Sequence, residues 1–230
     1  MESKQWSDQN ISLEKRKIIS YYKRMELEAK DTVDAIYARV MAQVNKHSTD
    51  YSNATEENSI SVFRGTHLSN FYAVPVVLDG KTYPSVEHAY QGAKFFGFDW
   101  SLVTSEQKSE IREILRLRGQ ATGPVYNEEF FMDPKISAGH IKITADVLRN
   151  HHHVSEEWED NRIKIMISLL LQKFKDPELS SSLRATGDKQ LFEGNTWGDT
   201  LWGVVDGRGR NMLGVALMEI RSWKREGKEL

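Results

Sequence analysis

Val74-Pro75-Val76-Val77-Leu78-Asp79-Gly80-Lys81-Thr82-Tyr83-Pro84-Ser85-Val86-Glu87-His88-Ala89-Tyr90-Gln91-Gly92-Ala93-Lys94-Phe95-Phe96 reads as a β-hairpin that runs straight into a helix. The apolar run Val74–Leu78 and the run Lys81–Tyr83 flank Asp79-Gly80, the pair that suits a type I′ turn because both central residues need positive φ. Pro84-Ser85 then opens a helix expected to reach about Phe96, with Ser85 as its N-cap. On that helix Glu87, Gln91 and Lys94 stand at i, i+4 and i+7 and share one face, while Val86, Tyr90 and Ala93 form a separate apolar stripe. An acid, an amide and an amine in one row can move protons and, if the lysine is desolvated, supply a nucleophile. The plain alternative is a polar face that only solvates the helix.

On the N-terminal side the composition changes. All 15 Gly and all five Pro lie beyond residue 64, with Gly65 and Pro75 the first of each. Before them, Ile18, Tyr22, Met25, Ala29, Val33, Ile36, Val40 and Val44 recur at helical spacing, with Asp31-Thr32 as a break between two helices. Residues 47–59 are polar and turn-rich and read as a linker. The division expected is a helical extension over 1–58 and a main domain over 59–230. The extension either packs on the main domain or serves as a partner helix, a homodimer contact being the second reading.

Beyond the hairpin helix, helical patterns cover about Glu106–Arg118, Ile136–Asn150, Glu156–Phe174, Leu179–Thr186 and Asn211–Lys224. Leu191-Phe192 and Leu201–Val205 are short strand candidates. Six glycines and two tryptophans crowd into 194–214, in Gly194-Asn195-Thr196-Trp197-Gly198-Asp199-Thr200-Leu201-Trp202-Gly203 and the following Asp206-Gly207-Arg208-Gly209-Arg210-Asn211 to Gly214. Trp197 and Trp202 offer stacking surfaces, and Arg208, Gly209 and Asn211 at a helix start form a candidate phosphate site. A glycine-rich turn beside two core tryptophans is the alternative. Leu68-Ser69-Asn70-Phe71-Tyr72 is a polar–aromatic turn, weak alone. His151-His152-His153 with Glu156 and Glu157 reads as a solvated helix entry, because consecutive histidines point in different directions.

The chain has 230 residues, 33 acidic against 31 basic, and a net charge of −2, so bulk charge does not advertise a nucleic-acid partner. It has no cysteine, which excludes disulfides, thiolate metal sites and a cysteine nucleophile. No phosphate loop, dinucleotide fingerprint or G-x-S-x-G elbow is present. MESKQWSDQN lacks the features of a secretory leader and no run is long enough to span a bilayer, so a soluble cytoplasmic protein without membrane contact is expected. The residues call for no metal and no cofactor.

Three motifs together resemble the NADAR family of YbiA-like N-glycosidases. They are Leu68–Tyr72, then Tyr83–Phe95, then Trp197-Gly198-Asp199 through Trp202-Gly203 to Asn211-Met212-Leu213-Gly214 and Leu217-Met218-Glu219-Ile220-Arg221. The resemblance covers about residues 60–224. The N-terminal 58 residues and a long 99–130 segment depart from it. It implies a single compact α+β domain, predominantly helical, with a small β element. It also implies a hydrolase that cleaves the glycosylamine bond between ribose C1 and an exocyclic base amine. Two substrates follow from the resemblance: ADP-ribose on guanine in nucleic acid, which would make the chain an antitoxin to a DNA ADP-ribosylating toxin partner, and the ribosylamino-pyrimidine intermediates of riboflavin biosynthesis. A non-catalytic ADP-ribose or NAD-binding module is the third reading.

On that resemblance Lys94 is the candidate Schiff-base nucleophile, and Glu87 and Asp199 are the acid–base pair. Ser69, Asn70, Phe71, His88, Gln91, Trp197, Gly198, Trp202, Gly203, Arg208, Gly209 and Asn211 are the substrate-binding candidates. In a competing scheme Glu87 or Asp199 activates water against a closed ring and Lys94 only pairs with a carboxylate.

Overall fold

Val33, Ile36 and Val40 recur at helical spacing, and in the computed structural model all three are fully buried along one side of helix α1 (Lys30–Lys46). The structure describes residues 30–46, 51, 53–55, 57–62, 66–119, 126–154 and 156–228. The stripe positions Ile18, Tyr22, Met25 and Ala29, and residues 47–50, 52 and 56 of the expected linker, lie outside them. Asp31 and Thr32 sit in the first turn of α1.

Strand β1 (Ser59–Ser61) leads to the hairpin, where β2 (Val76–Leu78) and β3 (Lys81–Tyr83) pair antiparallel with Val76 opposite Tyr83 and Leu78 opposite Lys81. Asp79 and Gly80 have φ of 55° and 70°, as a type I′ turn requires. Val76, Leu78 and Tyr83 are buried while Val77 is exposed, the alternation of a strand with one face on the core. The Ser85 side chain accepts a hydrogen bond from the His88 N–H and starts α2 (Val86–Ala93), which ends three residues before the expected Phe96. Phe95 and the residues after it instead build an aromatic cluster, with Phe95, Phe98, Trp100 and Phe131 packed ring to ring.

Helix α3 (Ser105–Leu117) begins with a reciprocal cap between Thr104 and Gln107. Helices α4 (Ala138–His151), α5 (Glu156–Lys173) and α6 (Pro177–Ala185) follow, then strand β4 (Gln190–Phe192) and α7 (Met212–Arg225). The His triplet ties α4 to α3: His151 Nε2 lies 2.8 Å from Glu110 Oε2 and His152 Nε2 lies 3.0 Å from Gln107 Oε1.

The architecture is α+β and mainly helical. Among the described residues the sheets are two two-stranded pairs, the hairpin and a parallel pair that joins β1 to β4. The expected strand Leu201–Val205 is not one. Asp199 draws the amides of Leu201 and Trp202 into a turn, so only single bridges form, at Val204 and Val205. Helix α5 is the spine. Ile165, Met166, Ile167, Leu169, Leu170, Leu171 and Phe174 are buried on nearly all sides, and α1, α2, α7 and the hairpin pack around it. Helix α1 closes the opposite side by packing on α7 and α5, with Arg39 bridging to Glu226 at 2.7 Å. None of the described helices is long and apolar enough to cross a membrane.

Because Ile36 is fully enclosed, Ile36→Ala leaves a cavity and should cost about 2–5 kcal/mol, read as a lower midpoint in urea unfolding at unchanged slope.

Candidate active site

Every residue of α2 is buried, so its polar residues must be satisfied inside the protein. His88 is satisfied structurally. Its Nε2 donates to the Ile136 carbonyl at 2.9 Å, and its Nδ1 accepts from the Ser85 hydroxyl at 2.8 Å. Glu87, Gln91 and Lys94 face the other way, into a cleft of about 980 Å³, and Tyr90 stands with them on its wall.

The turn at Ser69–Phe71 forms one side of the cleft. Fully buried Lys173 holds it by donating to the Ser69 carbonyl at 2.7 Å, and the Glu87 N–H donates to the Asn70 carbonyl at 3.0 Å. Burial pushes the Lys173 amine down to about 7. Asn70 and Phe71 reach the cleft, while Ser69 lies beneath, its hydroxyl accepting the Phe71 N–H at 3.2 Å. The amide oxygens of Asn70 and Gln91 are buried and have no partner among the described residues, two acceptors ready for substrate hydroxyls or a base edge.

Asp199, Trp197, Gly198 and Trp202 come from the glycine-rich segment and line the far side. Asp199 Oδ1 accepts from the amides of Leu201 (3.1 Å) and Trp202 (2.9 Å), while Asn195 clasps its backbone at both N–H and carbonyl. Trp202 meets Tyr90 edge-on at 5.4 Å, and Trp197 is 44% exposed at the cleft. Residues not expected from the sequence complete the lining: Lys142, Asp146 and Arg149 on one face of α4, Trp158 and Arg162 on α5, Arg118 after α3, and Glu193 after β4.

The electrostatics follow from burial. Lys94 is 4% exposed, with its Nζ 5.3 Å from the Trp158 ring centre and 5.8 Å from that of Tyr90. No carboxylate among the described residues lies within ion-pair distance of it. Burial pushes its amine down to about 8 against the pull of Asp146 and Glu87, and Lys142 and Arg149 push the same way as burial. Burial also raises Glu87, against Lys142, a 2.8 Å hydrogen bond from Gln91, and Lys94. Lys142 is half-buried, and Asp146 (3.2 Å away), Glu87 and Asp199 outweigh its loss of water and raise it. The cleft thus sets a lysine held in its charged form, Lys142, beside one, Lys94, that sheds its proton at about pH 8. Among the described residues no His, Asp and Glu cluster is arranged to hold a metal ion.

Four of the expected binding residues are placed elsewhere. Gly203, Arg208, Gly209 and Asn211 do not line the cleft. The helix start proposed for phosphate already has partners: the amides of Asn211, Met212 and Leu213 donate to the carbonyls of Gly203, Leu201 and Trp202. A side chain at Gly209 would put its Cβ 2.2 Å from the Gly203 carbonyl oxygen, so that glycine serves chain packing. With Ser69 and His88, six of the named residues lie outside the cleft lining. Lys142, Asp146 and Arg149 did carry a signal in the sequence, a four-and-three spacing on one helix that also holds Gly139. Glu193 carried none.

The model of the NADAR domain matches residues 37–224. The chain belongs to the NADAR family. Among its relatives, the N-glycosidase YbiA of Escherichia coli K12 is 31% identical over 156 residues, covering 67% of this chain and 78% of that one. A riboflavin biosynthesis protein of Vibrio vulnificus is 29% identical over 156 residues, 67% of this NADAR chain and 34% of its relative. The NMR structure of the E. coli YbiA protein matches with a TM-score of 0.47 at 25% identity, covering 79% of this chain and 93% of that one.

Lys94 is charged at neutral pH in the unfolded chain and is held against burial in the folded one. Lys94→Met should therefore raise the melting temperature by roughly 5 °C below pH 8. That gain should fade as pH climbs from about 8 toward 10.5, where the native lysine is already neutral. Thermal melts across this range check it.

Proposed function

We propose that this cleft hydrolyses the glycosylamine bond between ribose C1 and the exocyclic amine of a base, with ADP-ribose on guanine in nucleic acid as the substrate. At the coarser level the chain is an N-glycosidase, a hydrolase of N-glycosyl bonds, like the YbiA proteins it resembles. The observation that carries the finer reading is Lys94: a buried amine facing a cleft, with no ion-pair partner among the described residues and a proton it releases at about pH 8.

A glycosylamine can open without help from a metal-like electrophile. The nitrogen lone pair forms an imine to C1 while the ring oxygen takes a proton, for which Glu87 is placed as donor. The Lys94 amine then adds to C1. The lysine nitrogen gives up a proton, the base nitrogen gains one, and the C1–N bond to the base breaks with its electron pair leaving on that nitrogen. C1 remains double-bonded to Lys94 Nζ. Water adds to this Schiff base, Lys94 leaves, and the aldehyde closes to the free sugar. Asp199, fixed by two amides, is placed to accept a ribose hydroxyl, and Gln91 and Asn70 offer their free amide oxygens.

The cleft volume supports a nucleotide-sized ligand, standing near the top of the range of roughly 300–1,000 Å³ for small-molecule sites. Arg118, Arg149 and Arg162 on its lining suit an anionic diphosphate, and Trp197 and Phe71 offer faces for stacking. If DNA is the natural strand, the protein undoes the product of a DNA ADP-ribosylating toxin. A second reading takes ribosylamino-pyrimidines as substrate and is favoured by the names of the Vibrio relative and of a chloroplastic riboflavin biosynthesis protein from Zea mays. The latter is 31% identical over 143 residues, 61% of this chain and 20% of that one.

An oligonucleotide carrying ADP-ribose on one guanine should return to its unmodified mass with release of free ADP-ribose. Lys94→Ala should lose at least a hundredfold in rate, and borohydride should trap a covalent adduct on the native protein alone. Turnover of a ribosylamino-pyrimidine phosphate with an inert oligonucleotide would establish the second reading. Near-normal turnover by Lys94→Ala would refute the lysine route.

A further inference from the structure

Glu193 follows β4 directly into the cleft and its backbone is gripped from two sides. Its N–H donates to Asn211 Oδ1 at 3.1 Å, and its carbonyl accepts the Val204 N–H at 2.8 Å. The surroundings leave no room for this grip to loosen. A Cβ on Gly203 would lie 2.2 Å from the Glu193 carbonyl oxygen. A Cβ on Gly214 would lie 2.0 Å from the Leu191 carbonyl oxygen and 2.5 Å from the Asn211 amide nitrogen. That nitrogen in turn donates to the Leu191 carbonyl and the Tyr51 hydroxyl, each at 2.8 Å. Gly203, Asn211 and Gly214, which belong to the third motif of the family resemblance, thus converge on the backbone of Leu191–Glu193.

The carboxyl group so presented lines the cleft, and no hydrogen bond or ion pair engages it among the described residues. The charged groups facing it are Glu87 on α2, Asp199 on the glycine-rich turn and Lys142 on α4. Two of these three are acids. Glu87, by contrast, already accepts from Gln91 and has two cations, Lys142 and Lys94, acting on it.

We infer that Glu193 is a further catalytic acid–base residue of this site, the one that serves the leaving base nitrogen, with Gly203, Asn211 and Gly214 as the positioning residues that seat it. The inference rests on the glycosylamine reading above. An exocyclic amine leaves poorly as an anion, so a proton must reach it as the C1–N bond breaks. In this assignment the Glu193 carboxylic acid gives its proton to the base nitrogen as that nitrogen takes the bonding pair, and the proton displaced from the lysine nitrogen goes to solvent. The Glu193 carboxylate then takes a proton from the water that adds to the Schiff base. The sum is one water consumed, its hydroxyl on C1 and its hydrogen on the base amine, with the enzyme unchanged. Burial, with Glu87 and Asp199 adding to it, pushes the Glu193 carboxyl up to about 8, so it holds its proton at neutral pH.

The test compares the native protein, Glu193→Gln and Glu193→Asp in single-turnover reactions from pH 6 to 10. The substrate is whichever of the ADP-ribosyl oligonucleotide and the ribosylamino-pyrimidine phosphate the native protein cleaves. The native rate should rise as Lys94 loses its proton and fall as Glu193 loses its own, a narrow bell near pH 8. Glu193→Gln should be about a hundredfold slower or more, without the falling limb. Glu193→Asp should recover part of the rate together with the limb. Both variants should bind ADP-ribose and melt within threefold and a few degrees of the native protein. A Glu193→Gln rate within threefold of native with the falling limb intact would overturn the assignment. So would equal losses in both variants with ADP-ribose binding lost in parallel, since that pattern marks a structural role. Should Glu193→Gln fail to fold, the limb and rate of Glu193→Asp decide alone: a native rate and an unshifted limb reject the role. Native inactivity on both substrates would instead reject the glycosylamine reading itself.

Discussion

Helix α2 is enclosed along its whole length yet carries a carboxylate, an amide and an amine on one side. A buried ammonium or carboxylate without a partner is among the most unfavourable groups a fold can hold. The protein meets this constraint by opening a cleft along that side and closing the others with apolar contacts to α4, α5 and the hairpin. The remaining polar residues of the cleft answer to the same demand. Lys142 balances Glu87, Asp146 balances Lys142, and Lys94 is left without a carboxylate close enough to fix its charge. Ordinary packing would favour pairing or replacing that lysine. Its retention in this state is the kind of strain that sites accept for chemistry.

Stability is supplied elsewhere, and by ordinary means. The C-terminal half of α5 is apolar on nearly every side, α1 and α7 pack on the helix, and the aromatic cluster around Phe95 and Phe131 anchors the end of α2. Lys173, at the end of that spine, shows how close support and site lie. One buried amine fixes the Ser69 carbonyl, the turn it fixes carries Asn70 and Phe71 into the cleft, and the Asn70 carbonyl receives the Glu87 amide. The position of the acid on α2 is therefore coupled through two hydrogen bonds to a residue outside the cleft.

What was legible in the sequence was local. The Asp79-Gly80 turn, the Ser85 cap and the row Glu87, Gln91, Lys94 all follow from spacing and turn chemistry, and the structure places each as read. What failed or was missed depended on distant neighbours. Arg208, Gly209 and Asn211 look like a phosphate turn because glycines, arginines and a helix start coincide there. Only the fold shows that carbonyls of residues 201–203 already occupy the helix-start amides of Asn211, Met212 and Leu213. Glu193 looks like any acid after a short strand, and its backbone is held by Asn211 and Val204, residues brought back by the intervening turn. Tyr90 was assigned to the core by its stripe. It is buried, but the same ring forms cleft wall against Trp202.

The parallel pairing of β1 with β4 sets Ser59 beside Gln190, so an early strand waits for a late one. Such pairings close a long loop before any contact repays the lost entropy, and they form slowly. On a ribosome the hairpin and α2 emerge well before β4 and α7, which means Lys94 is made long before the far wall of its cleft. The clamp on Leu191–Glu193 is likewise made of later chain, Val204 and Asn211, so any truncation that removes the chain from Val204 onward removes that clamp with it.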